Sequence, residues 1–175
     1  VRAQDIERVQ ALVDRVNGTA VYQVVSGGQE RQASVWAGLK AAIRPFVAVH
    51  DAARPLLQAA DLDAVVTAAR ESGAAALGHP ARDSMLRVNT GGQIADVVSR
   101  ETVWQVQTPQ VARRDWLVAA HEEARAQRRA ATDDTALLRA AGYPVMVVRG
   151  SAWNVKVTEA EDVHYVLERL LREEM

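Results

Sequence analysis

An α/β fold built on parallel βαβ units is what the sequence predicts, on three observations. Short apolar stretches alternate with amphipathic ones along most of the chain. The short stretches at 20–25, 46–49 and 74–78 are too apolar to leave one face wet, as strands covered on both sides must be. Each ends in a loop of small or polar residues, and in such sheets ligands gather at the carboxyl ends of the strands.

The elements follow in order. Over 3–16, Ile6, Val9, Leu12, Val13 and Val16 share one helical face, and Asn17-Gly18 supplies a stop. Ala20 to Val25 reads as a buried strand entering Ser26-Gly27-Gly28, and 32–42 as a helix carrying Val35, Leu39 and Ala42. Phe46 to Val49 is a second buried strand that ends at His50-Asp51. Leu62, Val65, Val66 and Ala69 mark a further helix before a third strand at 74–78. The alternation then breaks. Two runs, Met85 to Val88 and Ile94 to Val98, flank Asn89-Thr90-Gly91-Gly92 and predict a hairpin that needs something to pack on. Thr108-Pro109-Gln110 reads as a turn before a helix at 114–127. A shorter helix covers 133–141, closed by Gly142, with Thr132 as its cap and Asp133 and Asp134 complementing its dipole. Val145 to Val148 is a strand. Thr158-Glu159-Ala160-Glu161 is a capping box ahead of Val163, Val166, Leu167, Leu170 and Leu171.

Composition sets limits on function. At 175 residues and 49% hydrophobic, the chain suffices for one domain with a sizeable core. Its 21 basic and 22 acidic residues leave a net charge of -1, so no broad field draws it to nucleic acid or an anionic membrane. An anionic ligand must be caught by a few placed cations. Cysteine is absent, which excludes disulfides and thiolate chemistry and leaves the cytoplasm as the expected compartment. No apolar run has the length of a bilayer span. The opening at Val1, directly in an amphipathic pattern, leads us to expect residues upstream. The histidines His50, His79, His121 and His164 are unclustered and read as structural.

Three segments carry candidate chemistry. His50-Asp51-Ala52-Ala53-Arg54-Pro55 sets a carboxylate just past a buried strand, with small residues that let a ligand reach the backbone; read alone, Asp51 serves equally as a turn cap. Ser26 to Val35 is a glycine loop entering a helix, where backbone N–H groups and the Ser34 hydroxyl could hold a polar ligand or simply form a tight turn. Asn154-Val155-Lys156-Val157-Thr158 offers a lysine whose flexible stem could reach a phosphate, although a solvated lysine is the commoner case. Lys40 and Lys156 are the only lysines in a chain whose other fixed cations are arginines.

Taken in order, Gly-Gly-x-Glu-Arg-x-x-Ser-Val at 27–35, His-Asp-Ala-Ala-Arg-Pro at 50–55, Thr-Pro-Gln at 108–110, Thr-Asp-Asp at 132–134 and Asn-Val-Lys-Val-Thr at 154–158 strongly resemble the 2-C-methyl-D-erythritol 4-phosphate cytidylyltransferase family. The resemblance runs over essentially the whole chain. It implies a Rossmann-like nucleotidyltransferase sheet with flanking helices, in a single domain over 1–175, with a protruding β-arm at 84–99. It also implies a homodimer interlocked through the arms, CTP as substrate, and Mg2+ or another divalent cation. The implied reaction joins CTP to methylerythritol phosphate and releases pyrophosphate, in non-mevalonate isoprenoid synthesis.

Position by position, the resemblance assigns Gly28, Gln29 and Ser34 to the cytidine side. Gln29 stands where the family has aspartate. Asp51 resembles the aspartate near the ribose, the metal and the alcohol, and Ala52 contributes backbone contact. Arg54, Thr108 and Thr132 match residues shaping the alcohol phosphate site. Ser84, where the family often has threonine, and Arg100 match arm residues that reach the partner's site. Lys156 matches the lysine beside the α-phosphate, which with Asp51 makes up the expected catalytic pair. The strand and glycine-rich loop that begin family members have no counterpart at 1–20, so the domain is expected to be N-terminally incomplete. Three other readings stand beside this one: a cytidylyltransferase for another polyol phosphate such as ribitol 5-phosphate, a non-catalytic dimerisation or ligand-binding module, and half of a fusion with the cyclodiphosphate synthase.

Overall fold

The computed structural model describes residues 1–15 and 23–173, with side chains through 171. Among them lie α1 (Ile6–Arg15), α2 (Arg31–Ala41), β1 (Phe46–Val49), α3 (Ala59–Ser72), β2 (Ala74–Pro80), β3 (Met85–Val88) and β4 (Ile94–Val98), followed by β5 (Trp104–Arg113), α4 (Arg114–Ala126), α5 (Asp134–Ala140), β6 (Met146–Arg149) and α6 (Ala160–Glu173). One sheet has the order β1-β5-β2-β6, and β3 and β4 form a separate pair. The predicted α/β class is therefore the observed one. The chain gathers into two compact units: residues 1–47 with 112–145, and residues 48–111 with 146 onward.

In the second unit β2 is the buried strand. Its residues Ala74 to Leu77 are nearly inaccessible, and it pairs in parallel with β6 from Ala75↔Met146 to Gly78↔Arg149. The side chains on β2 are small because both faces are covered. At Gly78 a Cβ would come within 2.8 Å of Val147 Cγ2, so even alanine is too large. The helix α3 packs on β2 and β6 and buries Val65 completely, a contribution of roughly 1.5–3 kcal/mol. It ends at Gly73, whose φ of 92° suits glycine and whose N–H bonds to Ala69 O at 2.8 Å.

Two expectations change here. Thr108-Pro109-Gln110 is not a turn before a helix but the middle of β5, a ten-residue strand whose residues 107–112 are all buried. Polar Gln107, Thr108 and Gln110 break the apolar pattern of a covered strand, and Pro109, which cannot donate to a ladder, imitates a turn signal. The capping box of α6 is also different. Asp162, rather than Glu161, accepts from Thr158 N at 2.8 Å, Thr158 Oγ1 at 3.0 Å and Glu159 N at 2.9 Å. These bonds hold its carboxyl below the usual range.

The hairpin forms as expected. Asn89 Oδ1 accepts from the N–H groups of Gly91 and Gln93, each at 3.0 Å, and closes the turn. A bulge between Arg87 and Val88 shifts the register from Arg87↔Asp96 to Val88↔Ile94. Without it, Ile94 and Val97, three residues apart, would face opposite ways. With it, Leu86, Val88, Ile94 and Val97 share a face, and all four are about half or more exposed.

In the first unit α4 packs on α2 and α5, burying Leu117, Ala120, His121 and Ala124 from one face of α4. The cap of α5 is Asp133, which accepts from Ala136 N at 2.9 Å, and not Thr132. Asp134 does more than complement a dipole. Fully buried, it meets Arg31 Nη1 at 2.8 Å and His121 Nε2 at 3.1 Å. The strand expected at 20–25 lies outside the described residues as far as 22, and Gln23 to Val25 are not in a strand. Gly27 N instead donates to Val1 O at 2.7 Å.

Candidate active site

The second unit assembles a site from the loop after β1, the middle of β5 and the segment after β6. Thr108 is its pivot. The ring of His50 lies 3.0 Å through Nε2 from Arg54 O, and a carbonyl only accepts, so Nε2 carries the proton. His50 Nδ1 then accepts from the Thr108 hydroxyl at 3.0 Å, which leaves that oxygen's lone pairs free to accept from Asp51 N at 3.0 Å. One hydroxyl thus fixes the backbone at Asp51 and the ring at His50. A turn bond from Arg54 N to Asp51 O, 2.9 Å, closes the loop.

Asn154 ties the other wall to the same strand. Its side chain, fully buried, donates to Thr108 O at 2.8 Å, while its carbonyl accepts from Arg54 Nη1 at 2.8 Å. The amide of Gln107 donates to Ser151 O at 2.9 Å. Gly150 makes room for that amide: a Cβ there would sit 2.5 Å from Gln107 Oε1. Val157 N bonds to Ala53 O at 2.8 Å, joining the lysine segment to the Asp51 loop. The result is an ion pair across the site, Lys156 Nζ to Asp51 Oδ2 at 3.0 Å, with Asp51 mostly buried and Lys156 partly exposed. Burial lowers the pKa of Arg54 from its usual value, and the charge of Asp51 partly offsets this. Desolvation of a guanidinium makes it a stronger partner for an incoming anion.

Beside this pair opens a cleft of about 410 Å³, a volume suited to a small ligand. Arg54, Arg82 and Lys156 bring fixed positive charge to its wall, His79 and Asp83 stand among them, and Asp162 is occupied in capping α6. Its balance favours an anion that also carries hydroxyl groups. Three buried atoms around it, Arg54 Nε, Gln107 Oε1 and Asn154 Oδ1, have no partner among the described residues.

Of the predicted site residues, Asp51, Arg54, Thr108 and Lys156 come together here, and Ala52 sits exposed at the tip of the loop. Ser84 stands exposed just before β3, and Arg100 donates through Nη1 to Arg82 O at 3.2 Å, at the foot of the hairpin. Gly28, Gln29, Ser34 and Thr132 belong to the first unit. There the Ser34 hydroxyl accepts from Gly28 N at 3.1 Å and contacts Glu30 O at 3.1 Å, so it closes the glycine loop; Gln29 and Thr132 are exposed. The sequence reading did not single out Gln107 or Asn154, and it took His50 and His79 for structural residues. A polar residue inside or just past a buried strand was the available signal.

Asp51 is the ligand that the family resemblance assigns to a divalent cation. Among the described residues no three His, Cys, Asp or Glu side chains cluster to hold a metal. A single carboxylate such as Asp51 suits an ion that arrives coordinated to phosphates and keeps several waters, as Mg2+ does, better than a cation caged by protein alone.

Comparison with known proteins identifies the family. The family model described as IspD, 2-C-methyl-D-erythritol 4-phosphate cytidylyltransferase, matches residues 1–172. A 2-C-methyl-D-erythritol 4-phosphate cytidylyltransferase from Pelotomaculum thermopropionicum is 44% identical over 155 residues, covering 87% of this chain and 65% of that relative. A bifunctional IspD/IspF enzyme of Desulforudis audaxviator is 45% identical over 158 residues, 89% of this chain and 40% of its own length. The chain therefore spans less than two thirds of these two relatives. The crystal structure of 2-C-methyl-D-erythritol 4-phosphate cytidylyltransferase from Thermus thermophilus matches with a TM-score of 0.77 at 37% identity, over 88% of this chain and 78% of that one. By the family-model match and these relatives, the chain belongs to the 2-C-methyl-D-erythritol 4-phosphate cytidylyltransferase family.

Proposed function

We propose that the protein transfers a cytidylyl group from CTP to 2-C-methyl-D-erythritol 4-phosphate and releases pyrophosphate, in the cytoplasm and as part of isoprenoid synthesis. The observation that carries this reading is the Lys156–Asp51 pair at 3.0 Å, set beside a cleft whose fixed cations are Arg54, Arg82 and Lys156. Nucleotidyl transfer needs an in-line attack by a phosphate oxygen on the α-phosphorus, and charge stabilisation more than a covalent intermediate. No side-chain nucleophile is called for.

In this proposal Lys156 leaves Asp51 for the α-phosphate, where a placed cation is worth about 10² to 10³ in rate. Asp51 keeps its backbone bond to Thr108 and turns its carboxylate to a ribose hydroxyl or to the cation. A bound Mg2+, held by Asp51 and the nucleotide phosphates, would supply further charge stabilisation at the reacting phosphates. Arg54 and Arg82 face the phosphate of the alcohol. Gly28, Gln29 and Ser34 are assigned to the cytidine, Ala52 to backbone contact, and Thr132 to the alcohol site. The exposed apolar face of the hairpin, Leu86, Val88, Ile94 and Val97, supports the arm over 84–99 as a dimer contact, with Ser84 and Arg100 serving the partner's site.

Initial rates of pyrophosphate release by the full-length gene product, with CTP and Mg2+, test the assignment. Methylerythritol phosphate should be turned over, and ribitol 5-phosphate far more slowly. Equal rates, or a preference for ribitol 5-phosphate, would reassign the substrate. No release with either would remove the reaction.

A further inference from the structure

The cleft holds one group whose chemistry differs from that of its charged neighbours. His79 lies near the carboxyl end of β2, the end at which an α/β sheet receives ligands, and it lines the cleft with Arg54, Arg82, Asp83 and Lys156. Its ring is almost fully buried, so its orientation is set by packing. Nδ1 lies 2.8 Å from Pro80 O. A carbonyl oxygen can only accept, so Nδ1 carries a proton, and in that tautomer of the imidazole Nε2 presents a bare lone pair. Nε2 has no hydrogen-bond partner among the described residues, and it is absent from the polar atoms sealed away without one. An oriented acceptor therefore stands open at a wall that otherwise presents mostly donors.

We infer that His79 Nε2 accepts a hydrogen bond from a hydroxyl of the alcohol phosphate and so selects a polyol over a plain phosphate ester. The inference rests on the proposed reaction. Arg54, Arg82 and Lys156 can only donate, and they suit the phosphates. A polyol also brings O–H donors, which need acceptors. Asp162 Oδ2 already accepts three hydrogen bonds at the start of α6, and Gln107 Oε1 and Asn154 Oδ1 are sealed from solvent. The other side-chain acceptors on the wall are the exposed carboxylate of Asp83, the amide of Gln105, the Thr158 hydroxyl, Asp162 Oδ1 and His79 Nε2, and the His79 ring is held in place by its second bond to Pro80 O. A fixed acceptor discriminates through geometry, because a ligand without the matching hydroxyl leaves it unpaired.

Steady-state kinetics on the full-length protein test this with two substitutions. In His79→Asn the side-chain amide keeps the donor at the Nδ1 position but has nothing at Nε2. In His79→Gln the longer amide returns an acceptor there. His79→Asn should raise KM for methylerythritol phosphate roughly tenfold, the loss expected for one hydrogen bond, and leave KM for CTP unchanged. His79→Gln should recover most of the loss. A KM for the alcohol that does not change in His79→Asn, or equal changes for both substrates, overturns the inference. A measurement on the unsubstituted protein guards against misfolding: with 15N-labelled histidine, the Nε2 resonance of His79 should move on adding the alcohol phosphate and stay in place on adding CTP, and no movement with the alcohol counts against it. If the unsubstituted enzyme turns over neither substrate, the proposed reaction has failed, and that result is separate from an enzyme whose turnover ignores His79.

Discussion

At the scale of single residues the site depends on hydrogens placed without choice. Thr108 has one proton to give, His50 takes it, and the backbone at Asp51 is held by what remains of the same oxygen. Thr108→Val keeps the shape of the side chain and removes the hydroxyl that bonds Asp51 N and His50 Nδ1, at a cost of about 1–3 kcal/mol. A lower melting temperature together with reduced turnover is the expected result, and a variant matching wild type in both would show that the loop is held by other means. Asp51 and Lys156 were legible through the family resemblance, since read alone Asp51 serves equally as a turn cap and Lys156 as a solvated lysine. Asn154 and Gln107 were not, because their work is done through main-chain partners 46 and 44 residues away, which no local pattern encodes. His79 was passed over because the apolar run was read as ending at Gly78, one residue short of the position that matters.

At the scale of elements, helices and short apolar strands were read within a residue or two wherever burial follows a regular period. Two readings failed: Gln23 to Val25 are not in a strand, and the middle of β5 reads as a turn because polar residues interrupt its apolar period. β5 puts Gln107, Thr108 and Gln110 into a buried strand, and its proline mimics a turn. The first turn of α6 offers a test of a different kind. The bonds from Glu159 N, then those from Thr158 N and Oγ1, hold the Asp162 carboxyl below its ordinary value of 3.8. A group lowered on folding stabilises the ionised form: its contribution is full above about pH 3.8 and is lost as the pH falls through the lower, folded value. Hydrogen exchange at the start of α6 should therefore accelerate below that window in wild type and be fast at all pH values in Asp162→Ala. A wild-type profile without pH dependence would deny the cap. Gly150→Ala probes the strand behind the site. Its methyl would collide with Gln107 Oε1 at 2.5 Å, so we expect a loss of about 1–3 kcal/mol in denaturant titration, and unchanged stability would mean that Gln107 has room to move.

At the scale of the whole molecule, the sequence order of the motifs carried the family, and the family model and relatives agree with it over residues 1–172. In our proposal the hairpin serves as a dimer contact. A separate two-stranded ladder with Leu86, Val88, Ile94 and Val97 on one exposed face is marginal by itself. Val97→Asp should convert a dimer to a monomer in sedimentation at equal concentration, whereas a dimer that survives would place the contact elsewhere. Among the described residues no helix is long and apolar enough to cross a membrane.

The account stands or falls on what Lys156 does to phosphorus. Followed by 31P NMR with CTP, Mg2+ and methylerythritol phosphate, the full-length protein should yield one pyrophosphate and one cytidine diphosphate ester of the alcohol for each CTP consumed. Lys156→Ala should slow this by about 10² to 10³. A Lys156→Ala protein that makes the diester at the wild-type rate, or a wild-type protein that leaves CTP intact or only hydrolyses it, would contradict the account.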